Sequence, residues 1–331
     1  MDAAPVEWRV LLAADPAATA AHRPELWQAL AAVIPGVESR FLAVEEDGGM
    51  VGGAPVMTER RGGLTWVRAL PFLLPAAPLA RAGAAAAVDK AVADALLAFT
   101  RDVRAVGGEW ACYRPAGVAI ARAALERLPG ETRWFESAVV ELEGGPEAAL
   151  RRVDRKTRQG LAHARALGLR FMEDPGALDQ AIALHARQSR RWPGHRPVSP
   201  ALSRRLLEAG VGRLFTVSDA RGPLCATFAL DGGHETLMWW SGAREEAREH
   251  GAFALLAWSL AEWAHAHGRA RLNLGASTGL DPVAAFKRSL GARAVRWPVR
   301  WLNARFAPSV GRMVASLETR LRRGRARGEA S

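Results

Sequence analysis

The chain has only two cysteines and three lysines in 331 residues, and no apolar run long enough to cross a bilayer. Cys112 and Cys225 each lie inside an apolar, strand-like run, which excludes a disulfide-stapled secreted scaffold and predicts buried thiols in a reducing cytoplasm. The most apolar stretch, residues 70–99, is interrupted by Pro71, Pro75, Pro78, Arg81 and Asp89. It therefore lacks the roughly 20 continuous apolar residues of a membrane helix. The start, MDAAPVEWRV, lacks the basic and then apolar pattern of a signal peptide, so a cytoplasmic protein with no transmembrane segment is expected. No phosphate-binding loop, dinucleotide fingerprint or G-x-S-x-G elbow follows a strand, which removes support for NTPase, Rossmann and α/β-hydrolase readings. A metal centre is not expected either. His265 and His267 stand two apart on a helical stretch and point in different directions, and His163, His185 and His250 lack Cys or carboxylate partners at zinc spacing.

What is present is a large apolar fraction and an uneven charge. At 49% hydrophobic, the chain is long enough for two domains, each with its own core. Residues 1–150 hold 14 basic and 19 acidic side chains, a net of −5, whereas residues 151–331 hold 31 and 15, a net of +16. The excess concentrates at 151–205, in RRVDRKTR and RQSRRWPGHR, with 13 basic against 4 acidic side chains. Such a stripe is the electrostatic footprint of a polyanion or a phosphorylated ligand, and it is also what a solvated helix face looks like. The last residues, 307–331, carry five Arg between 320 and 327 and read as a basic, flexible tail.

One pattern occurs twice. RFLAVEEDGGMVGGAPVM at 40–57 returns as RLFTVSDARGPLCATFAL at 213–230, offset by 173 without a gap, with Arg40 on Arg213, Val44 on Val217 and Gly49 on Gly222. Each copy reads as a β-hairpin: apolar run, Gly-containing acidic turn, apolar run. Each is followed by a helix-period stretch, a Gly stop and a further strand: 87–106 with Gly107 and Gly108 before EWACYRP, and 252–267 with Gly268 before RARLNLGA. In the second half the layout runs strand 136–144, helix 146–168, helix 178–192, hairpin 213–230, strand 235–242, helix 252–267, strand 270–275, helix 281–291 and strand 294–302. This is a mixed α/β arrangement with mostly antiparallel strands, used twice.

That order resembles the GNAT acyltransferase fold, and its tandem use resembles the Fem family of aminoacyl-tRNA-dependent transferases. The most specific segments are RKTRQGLAHARALG at 155–168, similar to that family's basic helix, and AAFKRSLGA at 284–292, similar to its Phe-Lys segment. The resemblance implies an α/β (α+β) fold of two tandem GNAT-like domains at 1–132 and 133–306, with the working site in the second. It also implies acyl transfer: an amine attacks an activated carbonyl and an amide forms. In this reading Lys287 contacts the end of the tRNA or the developing oxyanion and Phe286 shapes that pocket. Two of the only three lysines, Lys156 and Lys287, fall in these two segments. In an Arg-rich chain, that choice marks positions suited to a compact ammonium.

The donor is read from the loop before the helix at 252–267. A CoA-binding GNAT domain has Arg/Gln-x-x-Gly-x-Gly/Ala there, so that backbone N–H groups reach the pyrophosphate. REHGAF supplies Arg248 and Gly251 but places Phe253 where a small residue belongs. Aminoacyl-tRNA is therefore the expected donor, with no cofactor, and a small-molecule or peptide amine the acceptor; acyl-CoA is the alternative donor. Arg155, Lys156, Arg158, Arg190 and Arg191 are the expected phosphate contacts. Trp192 is placed to stack on the terminal adenine, and Trp239 and Trp240 mark a strand splay that offers a backbone N–H. A non-catalytic RNA- or anion-binding module is a further alternative, and a monomer is expected.

Overall fold

The computed structural model describes residues 4–68, 74, 76–115, 122–190, 198–277 and 280–302. The basic tail at 307–331, Arg191 and Trp192 lie outside them. The chain forms two compact units: Met1–Pro5, Pro35–Trp134 and Pro298–Ser331 make one, and Val6–Ile34 with Phe135–Trp297 make the other. This corrects the division at 132/133, which assumed two unbroken domains. The physical reason is the apolar character of the first helices.

Helices α1 (Trp8–Ala14) and α2 (Pro24–Val33) belong to the second unit, although they precede the first in sequence. Pro24 at the first turn and Glu25 beside it suit a helix start. Trp8, Leu11, Leu26, Trp27 and Leu30 are all buried. The two indoles are satisfied locally: Trp8 Nε1 donates to His22 O at 2.8 Å and Trp27 Nε1 to Ala21 O at 2.7 Å. The connecting segment is fastened by backbone as well as by packing. Thr19 bridges Gly233, and His234 N donates to Ala18 O. Gly233 has φ +60°, and a Cβ there would fall 2.3 Å from Ala18 O, so the approach requires glycine.

The first unit is built on β1 (Val37–Glu46), β2 (Gly49–Arg61), β3 (Leu64–Arg68), β4 (Leu79–Ala80) and β5 (Gly107–Ala111). Their order is β1-β2-β3-β5, followed by the end of β12 (Arg293–Leu302), with β4 beside β2. Only β3 and β5 run parallel. Helix α3 (Ala85–Asp102) packs Val88, Val92 and Leu96 into the core, and α4 (Arg122–Glu126) follows.

The second unit runs β6-β11-β10-β9-β8-β7, again with one parallel pair, β10 and β11. Its strands are β6 (Gly130–Glu141), β7 (Arg170–Glu173), β8 (Gly212–Asp219), β9 (Gly222–Gly232), β10 (Glu235–Ala243) and β11 (Arg271–Asn273). Its helices are α5 (Gly145–Leu150), α6 (Arg155–Ala166), α7 (Leu178–Ser189), α8 (Pro200–Glu208), α9 (Ala252–Ala266) and α10 (Asp281–Ser289). Helix α9 is apolar on nearly every side and is the buried centre of the unit, with Leu255, Leu256, Trp258 and Leu260 in one cluster with Phe215, Leu224 and Leu272. Cys112 and Cys225 are both free and buried, and burial pushes each thiol above its ordinary range.

The repeated hairpins have the same register. Arg40 lies opposite Val56, and 173 residues on Arg213 lies opposite Ala229. Each hairpin slips at the matching place, between Val44 and Glu45 and between Val217 and Ser218. The third strand repeats as well: Met57 faces Arg68, and Leu230 faces Leu237. From there the copies diverge. The second copy continues through a bulge at Trp239 to pair Ala243 with Cys225; in the first, the described part of the third strand ends at Arg68, and β4 pairs with β2, Ala80 facing Gly52.

Because α1 and α2 complete the second unit, Trp8→Ala should lower its unfolding free energy by about 3–5 kcal/mol. Removing residues 1–34 should abolish its cooperative transition. Urea unfolding followed by tryptophan fluorescence measures both, and an unchanged midpoint in either variant would contradict this packing.

Candidate active site

The start of α6 sets three cations where a helix least favours them. Arg155, Lys156 and Arg158 occupy its first turns, the first turn itself holds no acid, and the side chain of the N-cap residue Asp154 makes no capping bond. The positive end of the helix dipole repels cations and attracts anions. These side chains, all exposed, therefore add to the helix field instead of offsetting it. The single helix expected over 146–168 is broken at Arg151–Asp154. Val153 turns into the core there, and Asp154 N donates to Ser289 O at 2.9 Å, which prevents the helix from running through.

That bond belongs to a junction that brings the two singled-out segments together. Thr157 Oγ1 donates to Ser289 Oγ at 2.8 Å, and Ser289 Oγ donates to Phe286 O at 2.8 Å. Just beyond, Gly291 has φ +75°, and a Cβ there would meet Arg152 at about 3 Å, so the turn closing α10 lies against the turn opening α6. The basic helix and the Phe-Lys segment, linked by Thr157 and Ser289 132 residues apart in sequence, are thus neighbours.

Lys287 is 8% exposed. Its Nζ donates to Gly275 O at 2.9 Å and to Ala276 O at 2.8 Å, the carbonyls that follow β11. Burial lowers its pKa from 10.5 to about 8, because no carboxylate accompanies the ammonium. Two of its three N–H groups are used, and the third has no protein partner among the described residues. Phe286 is half-buried, its ring 5.6 Å from Phe253 in an edge-to-face contact.

These carbonyls lie where the parallel pair opens. Strand β11 matches β10 only from Glu235 to Leu237, and β10 continues past it paired with β9. Gly275, at φ +72°, comes close to Met238 O. Trp239 is the bulged residue, half-buried and edge-on to Phe228 at 6.1 Å. Trp240 is buried, stacked on Phe228 at 5.2 Å and tilted against His185 at 5.2 Å, and its Nε1 has no acceptor among the described residues. Arg190, at the end of α7, is exposed, and among the described residues no hydrogen bond or ion pair ties it to the junction of α6 and α10. Thr157, Ser289, Asn273 and Gly275 join this arrangement only through the fold. Of these only Asn273 left a signal, as a polar residue amid the apolar strand RLNLG.

The start of α9 is closed off by its neighbours. Gly251, at φ +64°, lies so close to α6 that a Cβ would be 2.4 Å from Gly160 O. Phe253 packs into the core cluster beside Phe286. A carbonyl oxygen and a phenyl ring thus crowd the helix end at which GNAT domains hold a pyrophosphate. Phe253 stands where a pyrophosphate loop of this type has a small residue. Among the described residues there is no group of three His, Cys, Asp or Glu side chains that suits a metal, and no helix long and apolar enough to cross a membrane.

Since the folded chain holds the Lys287 ammonium less readily than the unfolded chain does, the unfolded state binds more protons between pH 8 and 10.5, and stability should rise with pH across that window. The buried charge costs on the order of 3 kcal/mol below pH 8. Lys287→Met should recover part of it at pH 7 and flatten the rise, as urea unfolding at pH 7 and 10 would measure. An identical pH slope in both proteins would show that Lys287 is not desolvated.

A family model described as an acetyltransferase (GNAT) domain matches residues 148–288, from α5 through Lys287. No curated protein sequence matches the chain. In fold the chain is similar to FemX, at 12% identity and TM-score 0.73 over 94% of this chain and 99% of that one. It is also similar to the C-terminal domain of an Agrobacterium fabrum protein described as a lysylphosphatidylglycerol synthetase, at 14% identity and TM-score 0.60 over 93% and 94%. A conserved Bacteroides thetaiotaomicron protein of unknown function is similar at 12% identity and TM-score 0.58, over 91% and 98%. Residues 148–288, which carry Lys287, match a GNAT acetyltransferase domain, and one strand register is used twice, so the chain has a tandem GNAT fold similar to that of FemX.

Proposed function

We propose that the enzyme transfers an aminoacyl group from aminoacyl-tRNA to the amine of a small molecule or peptide precursor, a cytoplasmic reaction. The observation that carries this reading is the start of α6, where a helix N-terminus and three exposed cations adjoin the segment of Lys287. Phosphates on a nucleic-acid backbone suit that field. The crowding of Gly251 and Phe253 supports the same choice, since it disfavours acyl-CoA.

In the proposed step the acceptor nitrogen attacks the ester carbonyl carbon, and the C–N bond forms as the carbonyl electrons move onto oxygen. The third N–H of Lys287 donates to that oxygen. Collapse breaks the bond to the ribose oxygen, which leaves with the proton lost by the amine. The ester is already activated, so holding the two reactants together supplies much of the acceleration. No group placed as a strong general base is required.

Thermal unfolding with added ligands separates the readings, because a ligand that binds only the native state raises its stability. Aminoacyl-tRNA should raise Tm, and acyl-CoA should not. The pair Arg155→Glu and Lys156→Glu should abolish the shift, and Lys287→Ala should lower turnover tenfold or more while the shift persists. Protection by acyl-CoA alone would replace the donor. Equal protection by uncharged tRNA with no transfer to any amine would favour an RNA-binding module. Because one structural neighbour is described as a lipid-modifying synthetase, vesicles containing phosphatidylglycerol form a separate acceptor arm, and transfer to them would change the acceptor but not the donor.

A further inference from the structure

Beneath the turn that holds Lys287 lies a buried polar chain that neither the sequence motifs nor the proposed reaction uses. Asn273, the last residue of β11, is fully buried; its Oδ1 accepts Gly275 N–H at 2.8 Å, and its Nδ2 donates to Glu235 Oε1 at 2.8 Å. Glu235, 1% exposed, faces Arg271 at 3.6 Å, and Arg271 in turn donates to Pro16 O in the segment joining α1 and α2. The same Gly275 offers its carbonyl to Lys287 Nζ and to Ala138 N. One residue's amide is therefore fixed by Asn273 while its carbonyl fixes the ammonium.

The internal repeat tests whether the scaffold itself needs this chain. By strand register, Glu235, Arg271 and Asn273 correspond to Trp66, Gly107 and Glu109 in the first unit. There the same parallel pair forms without any of the three, and Glu109 instead meets Arg68 at 2.9 Å, an arginine that also binds Glu59. Burying an Arg, a Glu and an Asn is expensive unless each is satisfied. The fold closes without them in one copy, so in the other they answer to the turn at Gly275.

We infer that Asn273, held by Glu235, is a positioning residue: it locks the backbone turn at 275–276 so that two carbonyls keep Lys287 buried in one place beside the opening between β10 and β11. The inference rests on the reading of Lys287 as the cation of the site, but its consequence for the environment of Lys287 needs no substrate to be seen.

The scarcity of lysine makes the test direct. Lys90, Lys156 and Lys287 are the only lysines, and the first two are exposed. Labelling of the full chain with N-hydroxysuccinimidyl acetate from pH 6 to 11, read by peptide mass spectrometry, reports each amine separately. In the native protein the limiting rate reached at high pH should be at least tenfold lower for Lys287 than for Lys156, and the midpoint for Lys287 should lie near pH 8. Asn273→Leu should raise its limiting rate at high pH about tenfold and move the midpoint toward 10.5, leaving Lys90 and Lys156 unchanged. The double variant Asn273→Asp with Glu235→Gln exchanges donor and acceptor while preserving the charge of the pair, and should restore slow labelling. If Asn273→Leu does not fold, Asn273→Ser is read in its place, since its hydroxyl can reach the same amide only loosely. Unchanged labelling of Lys287 in the folded single variant, or no recovery in the double variant, would overturn the inference. In an aminoacyl-transfer assay the single variant should lower kcat with KM unchanged. Altered labelling together with full activity of Lys287→Ala would retain the positioning role and reject the catalytic reading of Lys287.

Discussion

A buried ammonium without a carboxylate must find backbone carbonyls, and the arrangement of the second unit follows from where Lys287 finds them. Its acceptors, Gly275 O and Ala276 O, exist as a pair only because β11 ends and the chain turns where β10 and β11 part. That separation is a property of the sheet, since a parallel strand that stops short beside a longer neighbour leaves backbone groups unmatched. Helix α10 brings the cation to this place, and the start of α6, bonded to Ser289, brings three more cations to its side. The positive field at the site is thus assembled from two segments distant in sequence and held together by a few short polar bonds.

The repeat gives the same backbone two different outfits. Both copies have the hairpin slip at the same step and the same parallel third pairing. In the second copy a one-residue bulge at Trp239 interrupts the third strand before Ala243 pairs with Cys225; in the first, the described pairing runs without a bulge from Leu64 to Arg68. Where the first copy buries Glu59 and Glu109 against a half-buried Arg68, the second buries a chain that ends on the Gly275 amide. Duplication evidently preserved the pairing geometry while the polar interior was free to change, because strand register depends on apolar alternation and turn chemistry more than on any single buried polar residue.

Much of this was legible beforehand. The hairpins were fixed by alternation around a Gly-containing turn, the long helices by their 3.6-residue period and Gly stops, and the two chemical segments by unusual lysines in an Arg-rich chain. Other features were not. The break between α5 and α6 depends on an acceptor supplied by Ser289, and the capture of α1 and α2 by the second unit depends on a face formed by residues two hundred positions later. Periodicity describes what a segment would bury, not which partner covers it.

The sequence by itself determined the period of each element, the doubling of the scaffold and the concentration of positive charge after residue 150, because these are properties of residue order and local conformational preference. Only the tertiary structure decided that the basic helix and the Phe-Lys segment meet, that Lys287 loses its water to two carbonyls, and that Gly160 and Phe253 crowd the start of α9. Each of those depends on distances between residues far apart in the chain, which long-range packing sets and no local pattern encodes.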